Sequence, residues 1–96
     1  MTTNSSEKIA DILKCIAHPV KIDIIKLLSL HEKLTVSDIQ FHLGCHCEQS
    51  MLSHHLIKMK DRGVLSSFKH GKFIHYQLVD KNITNLFDII DTFSNR

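Results

Sequence analysis

Three groups of side chains could do chemistry in this chain, and they follow one another closely. The first is Cys45-His46-Cys47, two thiols separated by one imidazole. Such a pair can chelate one soft ion, with His42 or His46 as a nitrogen donor, and sulfur-rich sets select zinc, cadmium, copper(I) or arsenite over hard cations. A thiol at a helix N-terminus among basic residues also ionises more readily, which makes oxidants and sulfur species alternative effectors. Two inert turn cysteines are the third alternative. The second group is Gln49, Ser50, Ser53, His54 and Lys58, mostly short or planar groups able to hydrogen-bond base edges or phosphates. The third is Lys69-His70-Gly71-Lys72, cations around a glycine that can neutralise phosphate. An enzyme fits poorly, because no nucleophile has a base and an orienting acid in view.

Charge supports a reading surface. Between residues 50 and 75, Lys58, Lys60, Arg62, Lys69 and Lys72 face Asp61 alone, a local balance of +4, so the rest of the chain carries −2 within a total of +2. Six of the eight histidines lie from His42 to His75 and can add charge as pH falls toward about 6. A basic patch by itself is usually a solvated face; joined to a hydrogen-bonding helix it points to nucleic acid.

The 96 residues allow one small domain and no large cleft. With 43% hydrophobic and 23% charged residues, neither disorder nor a continuous coiled coil fits. A core of this size yields only about 3 to 5 kcal/mol of net stability, so a second copy covering more apolar surface, a homodimer, is expected. The apolar runs fall far short of the roughly 18 residues that span a bilayer, and "MTTNSSEKIAD" lacks the apolar segment of a signal peptide, so a cytoplasmic protein without membrane contact is expected. Three cysteines, two of them one residue apart, make a poor disulfide framework and suit a reducing compartment.

The elements that must position these groups follow from periodicity and punctuation. Ser5 or Ser6 can cap a first helix carrying Ile9, Ile12, Leu13 and Ile16, with Cys15 beside that stripe as a small hydrophobe. His18 should cap or hinge the start of a second helix, since Pro19 suits its first position. That helix presents Val20, Ile24, Leu27 and Leu28 and stops near Leu30. Thr35 and Asp38 resemble a capping box opening a short helix through Ile39 and Leu43 to Gly44. A helix from about Glu48 to Arg62 ends at Gly63, with Leu52, Leu56 and Met59 on one face and Ser50, His54 and Asp61 opposite. Two strands around His70-Gly71 use Leu65, Phe73, Ile74, Tyr76 and Leu78, and a last helix from about Lys81 aligns Leu86, Ile89, Ile90 and Phe93. His31, His42 and His75 read as surface or strand histidines. The resulting order, α-α-α-α-β-β-α, is mainly α with a small β-hairpin: a winged helix-turn-helix over 1–96, with the helix-turn-helix at 35–62 and the wing at 64–79.

The chain resembles the ArsR/SmtB family of bacterial transcriptional repressors over nearly its whole length. The resemblance rests on "CIAHPVKIDIIKLL" (15–28), "QSMLSHHLIKMKDRGVL" (49–65) and "FKHGKFIHYQL" (68–78). It matches Ala17-His18-Pro19 to the family's entry into the second helix, Ser50, Ser53 and His54 to its DNA-reading helix, and Lys69, Gly71, Lys72 and Tyr76 to its wing. It implies a homodimer joined through the first and last helices (5–17 and 81–94), bound to an inverted-repeat operator in double-stranded promoter DNA and released by an inducer.

Departures from the family concern that inducer. A common zinc site of the family uses acidic and histidine ligands on the last helix; here that helix offers Asp80, Asn82, Asp88 and Asp91 without histidine, so this site is expected to be absent. Cys45 and Cys47 resemble the family's cysteine pair in type but fall in the turn after Gly44, which is two residues longer than usual. A thiol event there would tilt Ser50, Ser53 and His54 against DNA. The alternative is a metal- or thiol-binding protein that uses the winged helix as a scaffold without binding an operator. The basic tip at Lys69, His70 and Lys72 argues against a winged helix that binds only protein.

Overall fold

The computed structural model describes residues 2–44 and 48–94. The described elements run α1 (Thr2–Ile16), α2 (Pro19–Leu30), β1 (Leu34–Thr35), α3 (Val36–Leu43), α4 (Gln49–Asp61), β2 (Leu65–His70), β3 (Phe73–Leu78) and α5 (Thr84–Ser94), with a 3-10 turn at Lys81–Ile83 before α5.

Local caps set these boundaries. His18, in an extended conformation, accepts a hydrogen bond at Nδ1 from the Val20 amide at 3.1 Å, and Pro19 takes the first helical position of α2. Thr35 Oγ1 accepts from the Asp38 amide while Asp38 Oδ2 accepts from the Thr35 amide, both at 3.1 Å, a complete capping box for α3. Hydrogen bonding to the carboxyl from the Thr35 backbone amide, and then from the Thr35 side chain, holds Asp38 below its ordinary pKa; slight burial opposes this and His75 and His42 add weaker attraction. Thr35→Ala should therefore cost about 0.5 to 2 kcal/mol, read as a lower urea midpoint at neutral pH. Because the carboxylate is the bonded form, this difference should shrink as pH falls below the ordinary value of 3.8 and the Asp38 contribution is lost. An unchanged midpoint at neutral pH would show that the cap contributes nothing.

At the far end of α4, Gly63 adopts φ +80°, its amide donates to the Lys60 carbonyl and the Val64 amide to the Met59 carbonyl, each at 2.9 Å. This double closure needs a left-handed residue, which glycine supplies without strain, and it turns the chain directly into β2.

The core gathers Ile24, Ile25 and Leu28 of α2, Ile39 of α3, Leu52, Leu56 and Met59 of α4, and Leu65, Tyr76 and Leu78 of the sheet. Each of the larger apolar side chains contributes about 1.5 to 3 kcal/mol through burial. Cys15 packs with this core, as its place beside the apolar stripe suggested, and its Sγ approaches the Lys58 carbonyl at 3.9 Å.

Four details differ from the sequence reading. Helix α1 begins at Thr2, so Ser5 and Ser6 lie within its first turns; neither glycine nor proline interrupts the chain there. Leu34–Thr35 pairs antiparallel with β3, placing Leu34 opposite Tyr76, so the hairpin belongs to a three-stranded sheet of order β1-β3-β2. Two residues carry no readable period of their own; only the partner strand makes them a strand. The hairpin turn is Gly71-Lys72, not His70-Gly71, because His70 still pairs with Phe73. Finally, the buried residue of α5 is Phe87, with Leu86 half-buried, while Ile89, Ile90 and Phe93 face outward.

Candidate nucleic-acid interface

Helix α4 is seated from below and polar above. Leu52, Leu56 and Met59 are completely buried, and the helix packs on α1, α3 and β2. That seating fixes the opposite face: Ser50 and His54 are exposed and Ser53 is half-buried, while Gln49 is exposed at the first position of the helix. An exposed helix face of amide, hydroxyl and imidazole can exchange hydrogen bonds with base edges while its apolar face keeps the helix rigid.

The wing supplies charge beside it. The β2 and β3 strands pair in register from Leu65↔Leu78 to His70↔Phe73, which places Lys69 and His70 at the end of one strand and Lys72 in the turn, all exposed. Gly71 has φ +64° in the first turn position, where the tight hairpin turns that match strand twist require a positive angle. Residue Lys58 sits on the flank of α4 toward α1, lining a polar cleft of about 440 Å³ with Lys14, Cys15 and Lys21. It is exposed.

Cys45, His46 and Cys47 lie outside the described residues. Among the described residues no group of three or more histidine, cysteine, aspartate or glutamate side chains could hold a metal ion. Residue His42 is exposed in the last turn of α3, with its ring centroid 5.0 Å from that of His31.

Two further residues bear on this surface without having been singled out, one lying on it and one beneath it. Lys33 holds its Nζ 5.3 Å from the centroid of the Phe68 ring, and Phe68 stacks on His75 at 5.3 Å, so the wing has a cationic and aromatic base. Only the β1–β3 pairing brings Lys33 there, and nothing in its own neighbourhood signals that contact. The second is His55. A step of 100° per residue places it about 60° from Leu52, on the apolar side of α4, so the same projection that sorted its neighbours could have found it. It is 8% exposed and its ring centroid is 4.8 Å from that of His18.

A polar helix seated beside a basic hairpin finds its counterpart among known regulators. Residues 18–67, just over half of the chain, match the sequence profile of the arsR family of bacterial regulatory proteins. This chain belongs to the ArsR family. It is thus a DNA-binding transcriptional regulator of the winged helix-turn-helix type, and not an enzyme. The matched segment begins at the His18 cap and ends in β2, so it contains the whole of α4. The transcriptional repressor PagR of Bacillus anthracis is 31% identical over 91% of this ArsR-family chain and 85% of its own length. The crystal structure of PagR superposes with a TM-score of 0.77 over 92% of this chain and 98% of that one. A cadmium resistance transcriptional regulatory protein, a CadC homologue from Staphylococcus aureus, is 28% identical over 83% of this chain and 64% of its own length. A homodimeric winged helix-turn-helix DNA-binding domain from Mycobacterium bovis shares the fold at 18% identity, with a TM-score of 0.81 over 98% of this chain and 84% of that one. No described helix is long and apolar enough to cross a membrane.

Proposed function

We propose that this ArsR-family protein is a cytoplasmic repressor that binds an inverted-repeat operator as a homodimer. Each protomer sets α4 in a major groove, with Gln49, Ser50, Ser53 and His54 toward the bases, and lays Lys69, His70 and Lys72 on the phosphates. The observation that carries this reading is the exposed polar face of α4, held by three completely buried residues on a helix that packs against β2 of a hairpin with a basic, exposed tip. Lys58, on the flank of α4, contributes charge rather than base reading. The dimer forms through α1 and α5, whose outward Ile9, Ile12, Leu13, Ile89 and Ile90 are 39 to 57% exposed in the single chain. Release comes from a thiol-directed effector at Cys45 and Cys47, with His46 between them: a soft metal or metalloid, an oxidant or a sulfur species. The cysteine pair ends two residues before α4 begins, so chemistry there acts on the entry of the reading helix. The cadmium resistance named for the CadC relative supports the soft-metal form of this reading.

A mobility-shift titration on DNA from upstream of the protein's own gene tests it. Specific binding should appear at low salt and weaken steeply as salt rises, since each neutralised phosphate releases about one counterion. Zinc, arsenite, copper(I), polysulfide and peroxide are added in turn; at least one should release the wild type, while a variant with Cys45 and Cys47 changed to serine stays bound. Absence of specific binding at low salt overturns the operator; release that persists in the serine variant overturns the thiol route.

A further inference from the structure

The N-cap of α2 and the buried face of α4 meet at two imidazoles. His18 Nδ1 accepts the Val20 amide, so the cap exists only while that nitrogen carries no proton. His55, from α4, lies 4.8 Å away between ring centroids, and its buried Nδ1 has no hydrogen-bond partner among the described residues. His54 stands 6.4 Å from His55 along the same helix. The charges acting on His55 are all positive: His18 and Lys21 from α2 and its cap, His54 and Lys58 from α4. Beyond Lys21 and Lys58, the cleft between α1 and α4 adds Lys14 and Arg62 against Asp11 and Asp61, with Arg62 3.7 Å from Asp11.

We propose that His18 and His55 form a proton-sensitive latch that positions the reading helix, closed while both rings are neutral and loosened when acid charges either one. Protonating His18 Nδ1 removes the acceptor that caps α2 and leaves a cation facing the His55 ring. Protonating His55 places a charge in a buried site with a neighbouring imidazole, Lys21 and Lys58 on the same side. Either event weakens the joint between α2 and α4. Burial, followed by the His18, Lys21, His54 and Lys58 charges, holds the His55 pKa below its ordinary value of 6.5. The unfolded or loosened chain therefore takes up the proton first. The latch is fully closed above that value, and the ratio of closed to loosened forms falls by up to about tenfold per unit of pH below it, until His55 titrates in place. His55 acts through the seat of α4 and is a positioning residue, distinct from the groups that touch DNA.

This inference rests on α4 being the DNA-reading helix, and its test separates the two readings. Thermal unfolding and operator affinity are measured from about pH 8 to pH 5 for the wild type, for His55→Gln, a neutral residue of similar reach, and for His18→Asn, which can still cap a helix but does not titrate in this range. NMR titration of the histidine ring carbons of the wild type follows His55 itself. The latch predicts that the wild type loses several degrees of Tm as pH falls through about 6.5, that both substitutions flatten this loss, and that His55 stays neutral below the pH at which exposed histidines titrate. It also predicts that operator affinity at acid pH, relative to pH 8, falls more in the wild type than in either variant. Equal pH slopes in Tm for all three proteins, or titration of His55 with the exposed rings, overturn the latch, and neither measurement needs DNA. Flattened Tm profiles with no specific DNA binding at any pH would leave the latch standing and overturn the operator.

Discussion

Changing Ser53 and His54 together to alanine is expected to remove most specific operator binding while leaving the fold intact. Neither side chain belongs to the buried core: Ser53 is half-buried, His54 is exposed, and the anchors Leu52, Leu56 and Met59 beneath them are untouched. Alanine is also a better helix former than either residue, so α4 should not fray. A good base contact in the major groove discriminates by about 1 to 3 kcal/mol, so the pair should lose from about thirtyfold to about twenty-thousandfold in specific affinity. The wing behaves differently. Changing Lys69 and Lys72 to glutamine should weaken specific and nonspecific DNA alike, and lower the slope of log affinity against log salt by about one for each lysine. Fluorescence anisotropy over a salt series, with an upstream fragment and a scrambled one, reads both quantities. If Ser53 and His54 could be removed without narrowing the gap between the two fragments, α4 would not be the reading helix. Should the lysine changes alter specificity instead of the salt slope, the wing would have to be reading bases.

Much of the surface behind that experiment was legible in the sequence, because its signals are local. A cap pair three residues apart, a glycine after a periodic run, and polar residues out of phase with Leu52, Leu56 and Met59 are each set by the chain's own geometry. The winged helix-turn-helix order and the outward Ser50 and His54 followed from those signals. What escaped depends on contacts between distant segments. The β1 strand exists only because Leu34 finds Tyr76, and Lys33 reaches Phe68 only through that pairing. The one-residue shift of the hairpin turn was a question of backbone sign: glycine had to stand first in the turn, not last. His55 was visible by phase yet easily taken as the polar twin of His54. Its neighbour His18 was read as a cap, and the contact between the two rings required the packing of α4 against the start of α2. On α5 the periodicity was real, but it could not say which side of the stripe the core would claim. Phe87 took that side, which left Ile89 and Ile90 for something else.

In the proposed function the something else is a second copy, and Ile90→Glu is the substitution expected to expose it. Ile90 is half-exposed at 49% and borders an apolar hollow of about 370 Å³ with Leu13, Ile16, Ile22, Leu86 and Phe87. Within one chain a glutamate there can turn to solvent, so the intrachain core loses little. Inside an α1–α5 seam the same carboxylate would be buried without a partner, which costs several kcal/mol for each copy. The two-fold symmetry of such a seam places the change twice in one interface. The variant should therefore run as a monomer by light scattering at concentrations where the wild type is a dimer. The wild type should show a Tm that rises with protein concentration and the variant one that does not. Operator binding supplies the larger effect. Linking two half-site modules makes the second contact intramolecular and raises overall affinity by about 100-fold to 10,000-fold, so a monomer that keeps a correct α4 and wing should lose that factor and retain only half-site binding. Ile57→Glu, on an exposed apolar position of α4 outside the proposed α1–α5 seam, is a control for charge alone and should leave the mass unchanged. A variant at Ile90 with the mass and operator affinity of the wild type would exclude this face of α5 from the dimer, and leave the outward stripe of α1 without its proposed partner.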